Sequence, residues 1–273
     1  MSAVWSELAQ AAQQLAPISD TARLDAELLM AHALGVTREA MLLRGLEGEA
    51  PEGFAALLQR RLNHEPIAYI TGTRAFWTID LEVGPGVLVP RVDSETLIEA
   101  AILHFGERAP WRILDLGTGP GTLLLAALDN WPEATGLGVD ASETALAYAR
   151  RNAMRLGIDR AEFRLGDWAE GIEARFDLIL ANPPYIGTAE QLPPEVRDHE
   201  PGEALFAGAD GLDDYRRIVP ELPRLLAPGG IAVMEIGYTQ AEAVSALVAQ
   251  HGLRPAVTRD LKGLSRVVTA VEL

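Results

Sequence analysis

The apolar residues of the first 74 positions recur at helical spacing. Trp5, Leu8 and Ala12 fall on one face of a first helix. A second helix is indicated by Leu24, Ala26, Leu28, Leu29 and Ala33. The charged and polar residues between these positions fall on the other faces, as expected for helices that bury one side against a common core.

Turn residues separate these helices. Ser19–Asp20 and Gly35 are predicted to cap the two ends of the second helix. Thr37 is expected to cap a short third helix, and Pro51 to be the first residue of a fourth. Because no strand-like alternation occurs here, we predict a small all-helical domain over residues 1–74.

The next stretch alternates between apolar and polar residues. Phe76–Val83 has the period of a strand, Gly84–Gly86 has turn composition, and Val87–Val89 is again apolar. This pattern predicts a β-hairpin, which we take as a connector over residues 75–90.

From residue 91 to residue 273, strand-like and helix-like segments alternate. The predicted strand cores are Arg112–Leu116, Thr135–Val139, Ala161–Leu165, Leu178–Ala181, Gly230–Ile236, a segment around Val257, and Val267–Val271. The predicted helices are Ser94–Phe105, Ala141–Leu156, Tyr215–Leu226 and Ala241–His251. This alternation favours an α/β domain with a mostly parallel seven-stranded sheet covered on both faces. The last two strands are too close in sequence for a crossover helix, which predicts an antiparallel edge.

Composition excludes several classes of site. The 273 residues contain no cysteine, so disulfides, thiolate catalysis and cysteine-bound metals are ruled out. Lys262 is the only lysine, which argues against a Schiff base or a phosphate-loop lysine. The five histidines show no ligand-like spacing, so we expect no metal site.

The chain is strongly acidic. A formal net charge of −16 argues against direct nucleic-acid binding, which requires clustered lysine and arginine. The first ten residues lack a signal-peptide pattern, and no apolar stretch approaches the length of a membrane span. We therefore expect a cytoplasmic protein without a membrane partner.

A glycine-rich turn follows the first predicted strand of the α/β domain. The turn consists of Gly117, Thr118, Gly119, Pro120 and Gly121 and leads into a helix. In an open α/β sheet this first turn is where a nucleotide-like ligand binds. The spacing is GxGxG, so it meets neither the dinucleotide fingerprint nor the phosphate-loop motif.

Acidic residues end the predicted strands around this turn. Asp115 precedes the glycines, and Asp140 ends the second strand, where it is placed to accept hydrogen bonds from ribose hydroxyls. After the third strand, Asp167 offers a carboxylate for an exocyclic amine and Trp168 a flat ring for a purine. A cationic ligand without phosphate suits such a site, and S-adenosylmethionine (AdoMet) has these properties.

The fourth strand leads into Asn182, Pro183, Pro184 and Tyr185. The prolines fix the backbone and donate no hydrogen bond, so the Asn182 side-chain oxygen and the Pro183 carbonyl can both accept from one NH₂ group. This leaves the nitrogen lone pair available for a methyl donor. Tyr185 is predicted to supply a ring for stacking, and we assign Asn182, Pro183 and Tyr185 to catalysis and all four residues to substrate binding.

These residues together resemble the PrmC/HemK family of protein-glutamine N5-methyltransferases, which act on the GGQ motif of class I peptide chain release factors. Beyond the glycine loop and the NPPY turn, the resemblance depends on the segments Glu65–Gly72, Leu88–Glu95, Glu200–Pro201 and Gly208–Leu212. It implies a Rossmann-like AdoMet-dependent methyltransferase fold with a helical N-terminal domain that helps to dock the release factor.

The resemblance also implies residue roles. Gly117–Gly121 would wrap the methionine part of AdoMet, with Asp140 on the ribose, Asp167 and Trp168 on the adenine, and Asn182 at the border with the substrate amide. The family usually has Pro and Thr where Val92 and Ser94 stand here, and Ser and Ala in place of Pro120 and Thr122. Pro120 removes one backbone donor from the loop. Glu235, at a buried strand end, is expected to be structural.

Two alternatives stay open on the sequence alone. One is an N-methyltransferase of a ribosomal-protein glutamine or of an RNA or DNA base amine. The other is a non-catalytic binding module that keeps the fold; an intact NPPY turn argues against it.

Overall fold

The computed structural model of the chain describes residues 3–44, 48–49 and 51–273. Residues 1–2, 45–47 and 50, which belong to the predicted helical domain, lie outside the described residues. The chain divides into two compact units. Unit 1 contains the residues up to Thr73 together with Leu192–Glu200, and unit 2 contains Arg74–Gln191 and Pro201–Leu273.

The secondary structure follows in chain order. The helices are α1 (Ala3–Leu15), α2 (Ala22–Leu34), α3 (Arg38–Arg44), α4 (Phe54–Leu62), α5 (Ile67–Thr71), α6 (Glu95–Phe105), α7 (Thr122–Asn130), α8 (Glu143–Leu156), α9 (Pro194–Arg197), α10 (Asp213–Ile218), α11 (Leu222–Leu225) and α12 (Ala241–Gln250). The strands are β1 (Thr73–Phe76), β2 (Ile79–Glu82), β3 (Arg112–Leu116), β4 (Thr135–Asp140), β5 (Ala161–Leu165), β6 (Phe176–Ala181), β7 (Leu226–Glu235), β8 (Leu253–Arg259) and β9 (Ser265–Glu272). Within the described residues, no helix is both long and apolar enough to cross a bilayer.

Unit 1 is helical, with one apolar core. The buried apolar residues are Val4, Leu8, Ala11, Leu15, Ala26, Leu29, Met30, Ala31, Met41, Phe54 and Ile70. The first helical face is confirmed by buried Leu8, although Trp5 and Ala12 only border the core. Gly35 ends α2 at φ 66°, and the Ala40 amide donates to Thr37 Oγ1 at 3.1 Å, which confirms both of these predicted caps.

Three details of unit 1 differ from expectation. Ser19 does not cap α2; its hydroxyl donates to Asp25, whose carboxylate is paired with buried Arg61 at 2.8 Å. Ser19 Oγ accepts from the Thr21 amide at 3.2 Å, so it serves the turn before the helix. Pro51 does not begin α4, since its carbonyl accepts from the Phe54 amide in a turn and the helix starts at Phe54. The short helix α5 has no counterpart among the predicted helices.

The predicted hairpin is present but displaced. Its strands are β1 and β2, joined at Trp77 and Thr78, with Trp77 at φ 54°. The assignment of Gly84–Gly86 as the hairpin turn and Val87–Val89 as a strand was wrong, because the second strand ends before Gly84. Pro85 and Pro90, on either side of Val87–Val89, have no backbone N–H to donate to a β-ladder, which explains the irregular backbone of this segment.

Unit 2 contains the predicted seven-stranded sheet. Its strand order is β5-β4-β3-β6-β7-β9-β8, parallel from β5 to β7 and antiparallel at β7-β9 and β9-β8. The sheet with its antiparallel edge is confirmed. Its central strands are buried on both faces because helices cover both sides.

The predicted helix Tyr215–Leu226 is broken. Helix α10 ends at Ile218, a 3₁₀ turn follows, and α11 ends at Leu225, where β7 begins. Pro220 and Pro223 explain the interruption, since a proline inside a helix removes a backbone hydrogen bond and clashes with the preceding turn.

Candidate active site

A cavity of about 300 Å³ lies in unit 2 at the carboxyl edge of the parallel strands. The chain runs outward from β3 through β4 to β5 and then crosses to β6 on the opposite side of β3. Leu116 at the end of β3 is paired with Val139 of β4 and with Ala181 of β6. The residues that follow these strands therefore meet at the switch point of the sheet, where ligands of open α/β folds bind.

The glycine loop borders this cavity. Gly117, Gly119 and Gly121 have φ values of 72°, 56° and 87°, a region that favours glycine. No atom lies within 4 Å of where a Cβ on Gly119 would be, so the backbone faces open space there. The Pro120 carbonyl accepts from the Asn152 side-chain amide at 2.9 Å, which ties the loop to α8.

Asp140 joins the glycine loop to the start of α8. One carboxylate oxygen accepts from the Gly119 amide and the other from the Ser142 amide, both at 2.8 Å. Burial raises the pKa of Asp140, and these backbone hydrogen bonds oppose that rise. Each oxygen retains a second lone pair for a ligand hydroxyl.

Asp115 is a site residue to which no ligand role was assigned from the sequence. Its Oδ2 accepts from the Thr118 hydroxyl at 2.7 Å and from the Leu124 amide at 3.2 Å. Its Oδ1 is buried and has no hydrogen-bond partner among the residues that the structure describes, although Asp115 lines the cavity. Burial raises the pKa of Asp115 to about 7. A positively charged ligand group beside it would stabilise the ionised form of this carboxylate.

The segment after β5 forms another wall. Trp168 has φ 47°, and its ring lies close enough to Gly117 that a Cβ on that glycine would be 3.0 Å from the indole Cζ3. The indole nitrogen donates to Asp214 at 3.1 Å, which fixes the ring. Asp167 is paired with Arg217, so its carboxylate already has a partner.

The NPPY turn follows β6 directly. Asn182 and Pro184 line the cavity, and Pro183 is buried. Tyr185 is not a cavity-lining residue; its ring packs against the core and its hydroxyl lies 3.4 Å from Glu235 Oε1. This contact holds the ring beside the NPPY turn, and stacking of a substrate group on it stays a prediction.

The side chain of Gln240 holds the NPPY turn in place. The Gln240 side-chain amide donates to the Tyr185 carbonyl at 2.9 Å, and its oxygen accepts from the Gly237 amide at the same distance. The turn after β6 is thereby fastened to the turn after β7.

Sequence reasoning missed the contribution of Ser94 and Glu235. The Asn182 side-chain nitrogen donates to Ser94 Oγ at 3.3 Å, and Ser94 donates to Glu235 Oε2 at 2.5 Å. The only signal in the sequence was an acidic residue at the end of an apolar strand.

The cavity is acidic. Of its lining residues, five are acidic (Asp115, Asp140, Asp167, Glu203 and Asp214) and two are arginines (Arg91 and Arg217). Asp115, Asp140 and Asp167 lie at the ends of β3, β4 and β5, whereas β6 is followed by the uncharged Asn182 and Pro184. Glu203 lies in the segment that pairs with the chain after the NPPY turn. The site can hold a cation beside neutral hydrogen-bond acceptors.

Two protein families match most of the chain. The family described as PrmC N-terminal domain matches residues 7–72, and the family described as methyltransferase domain matches residues 109–258. The release factor glutamine methyltransferase of Rhodospirillum rubrum is 45% identical over 255 residues, which cover 91% of this chain and 78% of that protein. The protein of the same name from Caulobacter vibrioides is 43% identical over 261 residues, covering 93% and 90%.

Among solved structures, a 16S rRNA methyltransferase of T. thermophilus in complex with AdoMet and guanosine has a TM-score of 0.53 at 20% identity. The match covers 74% of this chain and 50% of that protein. This likeness shows a shared methyltransferase fold.

Proposed function

The chain belongs to the family of release factor glutamine methyltransferases, and on that premise we propose that it methylates the side-chain amide nitrogen (N5) of the glutamine in the GGQ motif of class I peptide chain release factors. The observation that carries the proposal is the NPPY turn beside the glycine loop, at neighbouring strand ends around one acidic cavity.

S-adenosylmethionine is the proposed methyl donor, and the residues present fit it. The unpartnered Asp115 oxygen suits an ammonium group, and the open space at Gly119 admits close approach to the backbone. Asp140 keeps acceptor capacity for ribose hydroxyls, and Trp168 offers an apolar ring for adenine. We propose that Gly117, Thr118, Pro120 and Gly121 complete the cradle and that Asp167 borders the adenine.

The nucleophile at the NPPY turn, the nitrogen of the glutamine amide, is weak. The lone pair of an amide nitrogen is delocalised, so methylation requires that positive charge on nitrogen be stabilised as it develops. We propose that Asn182 Oδ1 and the Pro183 carbonyl accept the two N–H bonds of the glutamine amide. Both hydrogen bonds strengthen as the nitrogen becomes positive, and they therefore favour the transition state over the ground state.

The bond changes balance without a further reagent. Bound in this cradle, S-adenosylmethionine would supply a methyl group for the nitrogen lone pair, and its sulfur would keep the electron pair of the broken carbon–sulfur bond. Asn182 and Pro183 hold the nitrogen in place for this in-line displacement, which reduces the entropic cost of alignment. The methylated nitrogen then loses one proton to water.

The test is transfer of labelled methyl from S-adenosylmethionine to a purified release factor, with a matched factor in which the GGQ glutamine is replaced by alanine. We expect label on the first protein alone, with N5-methylglutamine identified by mass spectrometry of the tryptic peptide. Equal label on both factors would contradict the assigned residue. Label on a ribosomal protein or RNA in place of the factor would support the alternative substrates.

We further propose that the helical N-terminal part docks the release factor. Leu43 on α3 is 86% exposed, and Leu103 on α6 of unit 2 is 83% exposed, so the two give a matched pair of surface substitutions. We expect Leu43→Glu to raise KM for the release factor and Leu103→Glu to leave it unchanged, with equal affinity for S-adenosylmethionine. An equal effect of both substitutions on KM would contradict a docking role for this face of unit 1.

A further inference from the structure

A chain of hydrogen bonds leads from the Asn182 side chain to a buried carboxylate behind the cavity. Asn182 Nδ2 donates to Ser94 Oγ at 3.3 Å, and Ser94 Oγ donates to Glu235 Oε2 at 2.5 Å. Ser94 is 3% exposed and Glu235 2% exposed. Glu235 is not a cavity-lining residue, so it does not act on a ligand directly.

The direction of these hydrogen bonds decides which way the asparagine amide faces. A serine hydroxyl has one proton, and here an ionised carboxylate accepts it. Only lone pairs of Ser94 Oγ remain for Asn182, so the amide must turn its NH₂ group toward Ser94. Asn182 Oδ1 then points away from Ser94, where it can accept a hydrogen bond from the substrate NH₂ group.

We propose that Ser94 and Glu235 are positioning residues that hold the Asn182 amide with its oxygen available to the glutamine NH₂ group. This inference rests on the proposed function, because it assigns a reason for the acceptor orientation that methyl transfer to an amide requires. Without the Ser94 hydroxyl, the two orientations of the Asn182 amide would differ little in energy. In the unproductive orientation the Asn182 NH₂ group would face the NH₂ group of the substrate, and no hydrogen bond could form between them.

The protonation state of Glu235 should therefore affect the reaction. The other titratable and charged groups that face it are Arg266 on β9, Asp93 in the turn before α6, Tyr185 after β6 and Tyr215 on α10. Burial raises the pKa of Glu235 to about 7, while the Ser94 hydrogen bond and the Arg266 charge oppose that rise. Both forms of Glu235 are consequently accessible near neutral pH.

Protonation reverses the chain of donors. A neutral Glu235 can donate to Ser94 Oγ, whose own proton must then find an acceptor, and the nearby acceptor is the Asn182 oxygen. The amide turns over, and its NH₂ group takes the place of the acceptor. The rate of methyl transfer should therefore fall as the pH decreases through the pKa of Glu235.

The experiment compares kcat, KM for the release factor and the Kd for S-adenosylmethionine across four variants of the full chain. Ser94→Ala removes the hydroxyl, Ser94→Thr retains it, and Glu235→Gln removes the ionisation. Ser245→Ala is the control, because the hydroxyl of Ser245, which lies in α12, is also buried but has no hydrogen-bond partner within the described part of the chain.

We expect Ser94→Ala to lower kcat by about 10- to 100-fold, the range that follows from loss of orientation at a reacting group. Its Kd for S-adenosylmethionine should stay within about twofold of the wild-type value because the Asp115, Asp140 and Trp168 contacts remain. Ser94→Thr should recover most of kcat, and Ser245→Ala should match the wild type. Glu235→Gln should lose the limb near pH 7 from the pH profile of kcat.

Opposite outcomes would overturn the proposal. Wild-type kcat in Ser94→Ala, an equal fall in Ser94→Thr, or an unchanged pH limb in Glu235→Gln would each show that the chain does not orient Asn182. A rise in KM at constant kcat would assign Ser94 to docking instead. Failure of the proposed function is distinguishable, because the wild-type protein itself would then transfer no methyl group to the release factor.

Discussion

Replacing Asp115 by asparagine should stabilise the free protein above pH 7 and weaken its binding of S-adenosylmethionine. Burial raises the pKa of Asp115 from 3.8 to about 7 in the folded protein. The folded state therefore binds more protons than the unfolded state between about pH 4 and pH 7, and the free energy of unfolding decreases as pH rises through that window. A shift of about three pKa units corresponds to about 4 kcal/mol.

The asparagine oxygen can take the place of Oδ2, which accepts from Thr118 and Leu124. Its NH₂ group then occupies the position of the unpartnered Oδ1, at a cost of about 1–3 kcal/mol for a buried unsatisfied donor. At pH 8 the variant should therefore be more stable than the wild type by about 1–3 kcal/mol. Its affinity for S-adenosylmethionine should fall by about 10- to 100-fold, because the ammonium group loses a charged partner.

Urea unfolding at pH 5, 6, 7 and 8, with calorimetric titration of S-adenosylmethionine at pH 8, measures both effects. Burial also raises the pKa of Glu235 to about 7, so a pH dependence of the same sign, but smaller, should remain in Asp115→Asn. Glu235→Gln is the complementary control and should reduce the pH dependence independently of Asp115. If Asp115→Asn kept the full wild-type pH dependence of the unfolding free energy, that dependence could not come from ionisation of Asp115. If its affinity for S-adenosylmethionine were undiminished, Asp115 would not contact the ligand.

Three other substitutions separate the functions of the site. Asn182→Ala should abolish methyl transfer with nearly intact S-adenosylmethionine binding, and near-normal turnover would contradict the acceptor role. Asp140→Ala should weaken S-adenosylmethionine binding by about 1.5–3 kcal/mol in calorimetry, the contribution of a hydrogen bond to a charged group; unchanged affinity would remove Asp140 from the site. Gly117→Ala places a methyl group against Trp168 at a φ of 72° and should lower stability by about 1–2 kcal/mol together with affinity. Thermal melts showing unchanged stability would contradict that expected strain.

Local patterns predicted most of the sheet and the positions around it. Strands β3 and β6 are rich in the apolar residues typical of buried parallel strands, and Gly117 and Asn182 follow them directly. Asp140 is the last residue of β4. Since the carboxyl ends of parallel strands share one edge of a sheet, these residues could be placed together without knowledge of any side-chain contact.

The hairpin shows where local pattern is insufficient. Glycine and proline place the predicted turn at Gly84–Gly86, whereas Trp77 and Thr78 are not typical turn residues. The structure turns at Trp77, whose amide donates to Glu95 at 2.9 Å, so a contact 18 residues away accompanies the turn. By contrast, Pro220 and Pro223 are sufficient to predict the break between α10 and α11.

Contacts between distant residues were beyond sequence reasoning altogether. Ser94 lies 88 positions before Asn182 and 141 positions before Glu235. No periodicity or motif links residues at such separations. Their meeting depends on how α6 and its preceding turn pack beside β7, which only the folded sheet defines.

The separation of charged and neutral groups in this cavity has a chemical reason. A carboxylate placed directly on the glutamine amide would also attract the positive sulfur of the methyl donor, so part of its stabilisation would already be present in the ground state. The carboxylate would itself be a nucleophile within reach of the methyl group. Glu235 is buried outside the cavity lining. It orients the Ser94 hydroxyl, which in turn orients the Asn182 amide, so only uncharged groups face the substrate. The arrangement provides an oriented acceptor for the nitrogen without placing a competing anion beside the methyl group.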